Sequence, residues 1–476
     1  MGTTLYWHDY ETFGQNPRWS GIAQFAGIRT DEDLKEIGEP LMVYCQPPQD
    51  SWPDPVACLI TGITPQHCRQ HGLPDHQFAK AVVRELGRPG TCGVGFNNIR
   101  FDDEFTRQLL YRNFHDPYER EWKNGNSRWD LLDVLRMARA LRPEGIEWPV
   151  DEQGNPTMKL ERLTAANGIE HAGAHDALVD VRATIAMARL LKRVQPKLYD
   201  FAFRLRSKKF AAEQLDLVAC QPVLHTSGKL GGQRLFTTLV MPLMPQPGNG
   251  NGIVVFDLMQ DPAALLELPA EDIRQRLFTA SSDLEEGIER IALKTVHLNK
   301  SPMLAPLGLL DAGVEARIGL DRARCERHWL QLRPVLPALR DKLAEVFSQP
   351  YAPAVRDAEF LIYDGFVGDG DKRTMQAVRR AGEAELASQT FAFADPRLGE
   401  LLFRYRARNF PGSLAAAELQ QWQEFRHYRL HHKVSDDWLT REDYLATIAS
   451  LEQQYKEAPD KLALLVTLKA WEPETD

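Results

Sequence analysis

The sequence predicts an α/β domain, then a β-rich segment, then a helical one. Three observations carry this expectation. The first ~195 residues place strand-like runs ahead of amphipathic helical ones; residues 197–348 carry short β-like runs broken by glycine and proline; the remainder reads mostly at helical period. A chain of 476 residues also exceeds what one hydrophobic core usually supports. At roughly 150 residues per domain, about three domains are expected.

In the first segment, residues 5–10, 21–30, 41–45 and 91–96 read as strands, and 78–86, 103–112, 129–141, 160–167 and 175–194 as helices. In the last of these, Leu178, Val181, Ile185, Ala188 and Leu191 recur at spacings of three and four, the stripe of an amphipathic helix. A mixed sheet with helices packed on it follows. Gln195-Pro196 closes the segment, because a helix rarely continues into a proline. Next come β-like runs at 235–241 and 253–258, separated by the Gly/Pro-rich stretch 245–252, which predicts a small barrel or sandwich. Helices are expected at 322–332 and 337–347, a linker at 349–354, and further helices at 397–407, 414–428, 441–456 and 459–471. The expected boundaries are therefore 1–195, 196–350 and 351–476.

Composition narrows the class. Hydrophobic residues at 43% and charged residues at 26% are ordinary globular values, which argues against a disordered or fibrous chain. No apolar run approaches the ~18 residues that span a bilayer, so no membrane association is expected. The first residues lack a basic region followed by an apolar one, and Tyr6 stands where a myristoylated terminus wants Ser or Thr. Cys45, Cys58, Cys68, Cys92, Cys220 and Cys325 never form a C-x-x-C pair, which disfavours zinc ribbons and redox motifs. A reduced, cytoplasmic protein is the expectation. With a net charge of −9, any contact with nucleic acid has to use a local basic surface.

Three short constellations carry chemistry. Asp9 and Glu11, two apart on a strand, project from the same face near its end. Asp102 follows Asn98 and Phe101 in a turn between a buried strand and a helix, where an aspartate could equally serve as a cap. His175 and Asp180 stand five apart, about 140° on an ideal helix, so His175 belongs in the entering loop if both serve one site. Each alone is weak. Four carboxylates converge only if a cation joins them, since each pair at ~4 Å would otherwise repel by roughly 4 kcal/mol at an effective dielectric near 20. Oxygen donors without thiolate select Mg²⁺ or Mn²⁺ over zinc, and two such ions ~3.5–4 Å apart are the recurring device for phosphodiester cleavage.

The order D-x-E, N-x-x-F-D, H-x-A-x-x-D resembles the DEDDh exonucleases, the superfamily of proofreading subunits and ribonuclease T with an RNase H-like fold. Longer strings are more specific. His8-Asp9-Tyr10-Glu11-Thr12-Phe13-Gly14, Asn126-Ser127-Arg128-Trp129-Asp130-Leu131-Leu132-Asp133, Leu141-Arg142-Pro143-Glu144-Gly145-Ile146 and Phe403-Arg404-Tyr405-Arg406-Ala407-Arg408-Asn409-Phe410-Pro411-Gly412 resemble the bacterial exonuclease I family, across essentially the whole chain. The resemblance implies an RNase H-like α/β exonuclease domain with a mixed sheet and flanking helices, an SH3-like β domain and an α-helical C-terminal domain.

It also implies roles. Asp9 would bridge two Mg²⁺ ions, with Mn²⁺ able to substitute. Glu11 and Asp180 would complete the first site and Asp102 the second, while Glu11 would also lie near the terminal 3′-hydroxyl. His175 would take a proton from the attacking water; an unperturbed pKa of ~6.5 suits that task. The implied activity is processive 3′→5′ hydrolysis of single-stranded DNA to 5′-mononucleotides, in DNA repair, recombination and mismatch repair, by a monomer.

Between the second and third constellations arginines and aromatics interleave, the mixture that neutralises phosphates and stacks bases. Within this stretch and just beyond it, the resemblance favours Arg107, Tyr118, Trp122, Arg136 and Lys159 as strand contacts. Lys159 would be a point charge without the bidentate phosphate geometry of arginine. Arg397, Arg404, Arg406 and Arg408 are expected to extend a basic channel from the C-terminal side. Arg142 is the expected contact for the acidic C-terminal tail of single-stranded DNA-binding protein. An RNA-trimming exonuclease of the same superfamily and a non-enzymatic single-strand scaffold are the alternatives, and the two extra domains and the five intact catalytic positions weigh against them.

Overall fold

The computed structural model describes residues 2–171, 176–348 and 357–473. The chain forms two compact units, both discontinuous in sequence: Met1–Ser127 with His171–Ile185 and Pro353–Asp476, and Arg128–Glu170 with Ala186–Ala352.

The first unit is built on β1 (Thr4–Thr12), β2 (Ile22–Thr30), β3 (Leu41–Tyr44) and β4 (Thr91–Gly95), with β5 (Ser127–Asp130) leading into the second unit; the strand order is β3-β2-β1-β4-β5. The sheet is mixed, as expected. β1 runs antiparallel to β2 and β2 to β3, whereas β1 and β4 are parallel. A parallel neighbour needs a crossover, and α1 (Pro55–Thr61), α2 (Pro65–His71) and α3 (Asp75–Leu86) supply it. Residues 55–71, to which periodicity assigns nothing, become helical through their first positions. Asp54 and Thr64 accept the Val56 and His67 amides at 2.8 and 3.2 Å, and Pro55 and Pro65 occupy the first turn, where no N–H is missed.

Alternation along β1 decides where chemistry can occur. Tyr6 and Tyr10 point into a core with Phe25 of β2, Phe78 and Val82 of α3, and Phe105 and Leu109 of α4 (Asp102–Arg112). Asp9 and Glu11 therefore emerge on the opposite face. The β1–β2 register slips between Glu11, which faces Gln24, and Thr12, which faces Ile22, so a bulge at Ala23 ends regular pairing beside the acidic pair.

The C-terminal part of this unit is helical: Asp369–Arg380, Pro396–Asn409, Ala416–His431, Arg441–Gln454 and Pro459–Lys469. Trp52, Cys58 and Cys68 pack with Leu430, Tyr444, Ile448, Leu465, Leu468 and Trp471, and the Trp52 and Tyr444 rings stack with centroids 4.7 Å apart. A buried ionic network reinforces this seam. Asp50 accepts from Arg408 and Arg429, both at 2.7 Å; Arg429 and Arg404 also reach Asp357 and Glu359 at 2.6–3.0 Å, and Arg408 reaches Glu359. The expected channel arginines are thus engaged internally: Arg397 with Asp395, Arg404 and Arg408 in the network, and Arg406 with Glu418 at 2.7 Å. Their charge is neutralised by carboxylates rather than presented to a polyanion.

The second unit contains α5 (Leu131–Leu141), α6 (Leu160–Ala166) and the later turns of α7 (Ala177–Val194). Its sheet is antiparallel, from β6 (Val223–Thr226), β7 (Thr237–Pro245), β8 (Gly252–Asp257), β9 (Leu293–His297) and β10 (Met303–Pro306) in the order β10-β6-β7-β8-β9. Among the described residues no helix is long and apolar enough to cross a membrane.

Candidate active site

Three elements of the first unit bring acidic groups together. Asp9 and Glu11 come from the open face of β1. Asp180 comes from the first turn of α7, where Asp176 caps the helix by accepting the Leu178 and Val179 amides at 3.0 and 3.4 Å. One carboxylate oxygen from each of Asp9, Glu11 and Asp180 lies within 4.8 Å of the other two. Asp102, the first residue of α4, is buried beside them, its Oδ1 accepting the Tyr10 amide at 3.0 Å. The turn that delivers it is tight. A Cβ on Gly95 would lie 2.8 Å from the His8 carbonyl oxygen and from Asn98 Cβ, so glycine lets the end of β4 close on β1 beside Asp9.

Crowding shows in the protonation. Burial, and then the charges of Asp102, Glu11 and Asp180, hold Asp9 well above the usual carboxylate range. Burial, followed by Asp180, Asp102 and Asp176, pushes Glu11 up to about 8. Three hard oxygen donors that repel one another fit a divalent cation of the Mg²⁺ or Mn²⁺ type, and Asp102 lies beside them. A cation must displace the Glu11 proton. Its affinity therefore rises with pH toward about 8 as Glu11 gives up its proton, with at most a tenfold change per pH unit for each proton displaced. Half-saturation by Mg²⁺ at pH 6, 7, 8 and 9 checks this, and a pH-independent value contradicts it. Without a cation the folded state holds the Glu11 proton that the unfolded chain releases near 4.5. Stability from this group consequently falls as pH rises from about 4.5 to about 8.

His175 lies outside the described residues. A second imidazole, not singled out from the sequence, is present: His171 Nε2 stands 2.5 Å from Asp180 Oδ1. The run Glu170-His171-Ala172-Gly173-Ala174-His175 holds both histidines; only His175 stands five before Asp180 in the order H-x-A-x-x-D, whereas His171 stands nine before it.

The expected strand contacts divide between the units. In the first, Arg107 is 5% exposed, its guanidinium held by Glu121 at 2.7 and 2.9 Å and by Glu104 at 2.8 Å, and it lies 5.4 Å from the Tyr118 ring centroid. Tyr118 donates its hydroxyl to the Ile362 carbonyl at 3.0 Å, and Trp122 is 65% exposed. In the second, Arg136 pairs with Asp133 at 2.6 Å and lies 4.9 Å from the Phe236 ring centroid. Lys159 is exposed at the start of α6, and Arg142, half-buried, ends α5 with Nη1 donating to the Leu141 carbonyl at 2.5 Å. The structure adds two aromatics the sequence reading omits. Phe366, 86% exposed, meets the Tyr118 ring edge-on at 5.6 Å, and the half-exposed Tyr363 has its ring 6.4 Å from Tyr118 and its hydroxyl on Glu104. They come from a segment more than 240 residues downstream of Tyr118, which local patterning cannot connect.

A mixed α/β sheet that gathers acidic side chains from β1 and two helix starts defines a metal-dependent exonuclease domain. Comparison with known proteins agrees. Residues 6–188 match the exonuclease family, 206–349 the exonuclease I SH3-like domain and 356–475 the exonuclease I C-terminal domain. The exodeoxyribonuclease I of Haemophilus influenzae is 44% identical over 464 residues, covering 97% of this chain and 96% of its own, and that of Escherichia coli is 43% identical over 468 residues, covering 98% and 97%. Among solved structures, a moderately thermophilic exonuclease I from Methylocaldum szegediense has a TM-score of 0.94 at 49% identity, covering 99% of this chain and 100% of its own. The E. coli enzyme in complex with a dA16 oligonucleotide has 0.92 at 43%, covering 98% of each, and its zinc-bound complex with single-stranded DNA 0.91 at 43%, again 98% of each. A structure of SSB/exonuclease I with the inhibitor CFAM has 0.91 at 41%, covering 100% of each. The chain belongs to the exonuclease I family and is an exodeoxyribonuclease.

Proposed function

We propose that the chain is a Mg²⁺-dependent enzyme that hydrolyses single-stranded DNA from its 3′ end, processively, to 5′-mononucleotides, as a monomer acting in the cytoplasm in repair, recombination and mismatch repair. The observation that carries the chemistry is the convergence of Asp9, Glu11 and Asp180 with Asp102 alongside. Asp9, Glu11 and Asp180 would hold one ion and Asp9 with Asp102 a second; bound there, the ions supply Lewis-acid stabilisation of charge developing on the phosphate. Glu11 would also meet the terminal 3′-hydroxyl, and His175 would accept the proton of the attacking water. The relatives crystallised with oligonucleotides support single-stranded DNA as substrate. Residues 1–195 would carry the nuclease, 196–350 the SH3-like domain and 351–476 the helical one.

A timed digest of a 5′-labelled single strand, against duplex and against an RNA of the same sequence, tests this reading with Mg²⁺ and with chelator. The expected result is progressive shortening of the DNA single strand from its 3′ end in Mg²⁺ only. Internal cuts, preference for RNA or activity in chelator would overturn it.

Base stacking is assigned to Tyr118, Trp122, Tyr363 and Phe366. Base–aromatic stacking contributes about 1–3 kcal/mol, so Phe366→Ala is expected to weaken single-strand binding by about 5- to 150-fold in chelator. Fluorescence anisotropy with a labelled oligonucleotide measures it, and an unchanged Kd removes Phe366 from the path. The SSB/exonuclease I structure supports single-stranded DNA-binding protein as a partner. Arg142 in the second unit is proposed to contact its acidic C-terminal tail.

A further inference from the structure

Asp180 reaches Asp9 and Glu11 from far along the chain, so the start of α7 has to be fixed against the sheet. The first amides of a helix have no carbonyl partner within it. Asp176 takes those of Leu178 and Val179, and the amide of Ala177, the first residue of α7, donates instead to Gln24 Oε1 at 3.1 Å. Gln24 sits on β2 directly opposite Glu11 and is 1% exposed. Its strand neighbours Ala23, Phe25 and Ala26 are apolar and buried. A polar side chain there costs stability unless it is hydrogen-bonded, and an apolar one would pack in its place, so its acceptor is what distinguishes it.

We infer that Gln24 is a positioning residue for the cation site: by holding the Ala177 amide it sets the height and rotation of α7, and with them the place of the Asp180 carboxylate relative to Glu11. One strand thus registers two ligands, Glu11 through backbone pairing and Asp180 through this side chain. His171 acts on the Asp180 carboxylate itself; Gln24 acts on the backbone that carries it. The inference rests on the proposed reading of Asp9, Glu11 and Asp180 as cation ligands.

Mn²⁺ binding to the full chain, read from the electron paramagnetic resonance of free Mn²⁺, tests it in four proteins: wild type, Gln24→Leu, Ala177→Pro and the double variant. Leucine matches the bulk of glutamine without an acceptor. Proline at a first helical position removes the donor and keeps the helix. Groups that orient metal ligands typically contribute 10–100-fold to affinity. Each single variant is therefore expected to bind Mn²⁺ about 10-fold more weakly, the double variant no more weakly than the worse single one, and oligonucleotide Kd in chelator to stay unchanged. A folded single variant with Mn²⁺ affinity within about twofold of wild type overturns the inference, and so does full additivity in the double variant. Should Gln24→Leu not fold, Ala177→Pro decides alone. If wild-type binding survives Asp9→Ala, the cation site itself has been misassigned, a failure separate from that of Gln24.

Discussion

Asp9→Ala lowers hydrolysis of a 5′-labelled single strand by at least about a thousandfold while oligonucleotide binding in chelator stays within a few-fold of wild type. Asp9 is the carboxylate that shares the cluster with Glu11 and Asp180 and feels the charge of Asp102 as well. Removing it takes a ligand from both proposed ions. The several kcal/mol that Lewis-acid stabilisation contributes correspond, at about 1.4 kcal/mol per decade, to roughly this factor. The aromatics proposed to hold bases, Tyr363 and Phe366 packed against Tyr118, are groups other than the proposed cation ligands, so binding is expected to be separable from turnover. Full activity of the variant would refute the site.

The second large effect is on stability. Burial alone would raise the pKa of Glu359, yet Arg408, Arg429 and Arg404 together hold it well below the usual range, and Arg408 and Arg429 lower that of Asp50. Removing one partner of such a set leaves buried charge uncompensated, at a cost of about 3–5 kcal/mol. Arg429→Ala is therefore expected to lower Tm by roughly 6–10 °C, taking about 2 °C per kcal/mol for a chain of this size. Differential scanning calorimetry reads it directly, and a shift under about 2 °C would show that the network relaxes without loss. Because these carboxylates have depressed pKa values, their contribution is present near neutrality and is lost as pH falls below the carboxylate range.

Much of the nuclease sheet was legible in local pattern. β1, β2, β3 and β4 each fall within two residues of the runs that alternation marks, and Asp9 and Glu11 follow from the period of two. Helix starts were less so. Periodicity opens a helix at Trp129, but Trp129 is the third residue of β5, and Asp130 caps α5 by accepting the Leu132 amide at 3.1 Å. Pro196 ends one helix and begins the next, Pro196–Arg204, because its missing N–H costs nothing at a first position. In the second unit β7 and β8 were visible, whereas β6, β9 and β10 are four or five residues long, and runs that short carry little periodicity. The engagement of Arg408 was hidden for a different reason: Asp50, which pairs with it, lies 358 residues away, and no local window contains both. Convergence of Asp9, Glu11 and Asp180 was likewise carried by motif order rather than by spacing.

The seam between residues 50–68 and 404–471 has a consequence for biosynthesis. Strands emerging first from the ribosome bring Asp50 and Trp52 with them, but the guanidinium of Arg429 and the ring of Tyr444 arrive nearly four hundred residues later. During translation, then, the nascent nuclease carries an unanswered carboxylate and a bare tryptophan face.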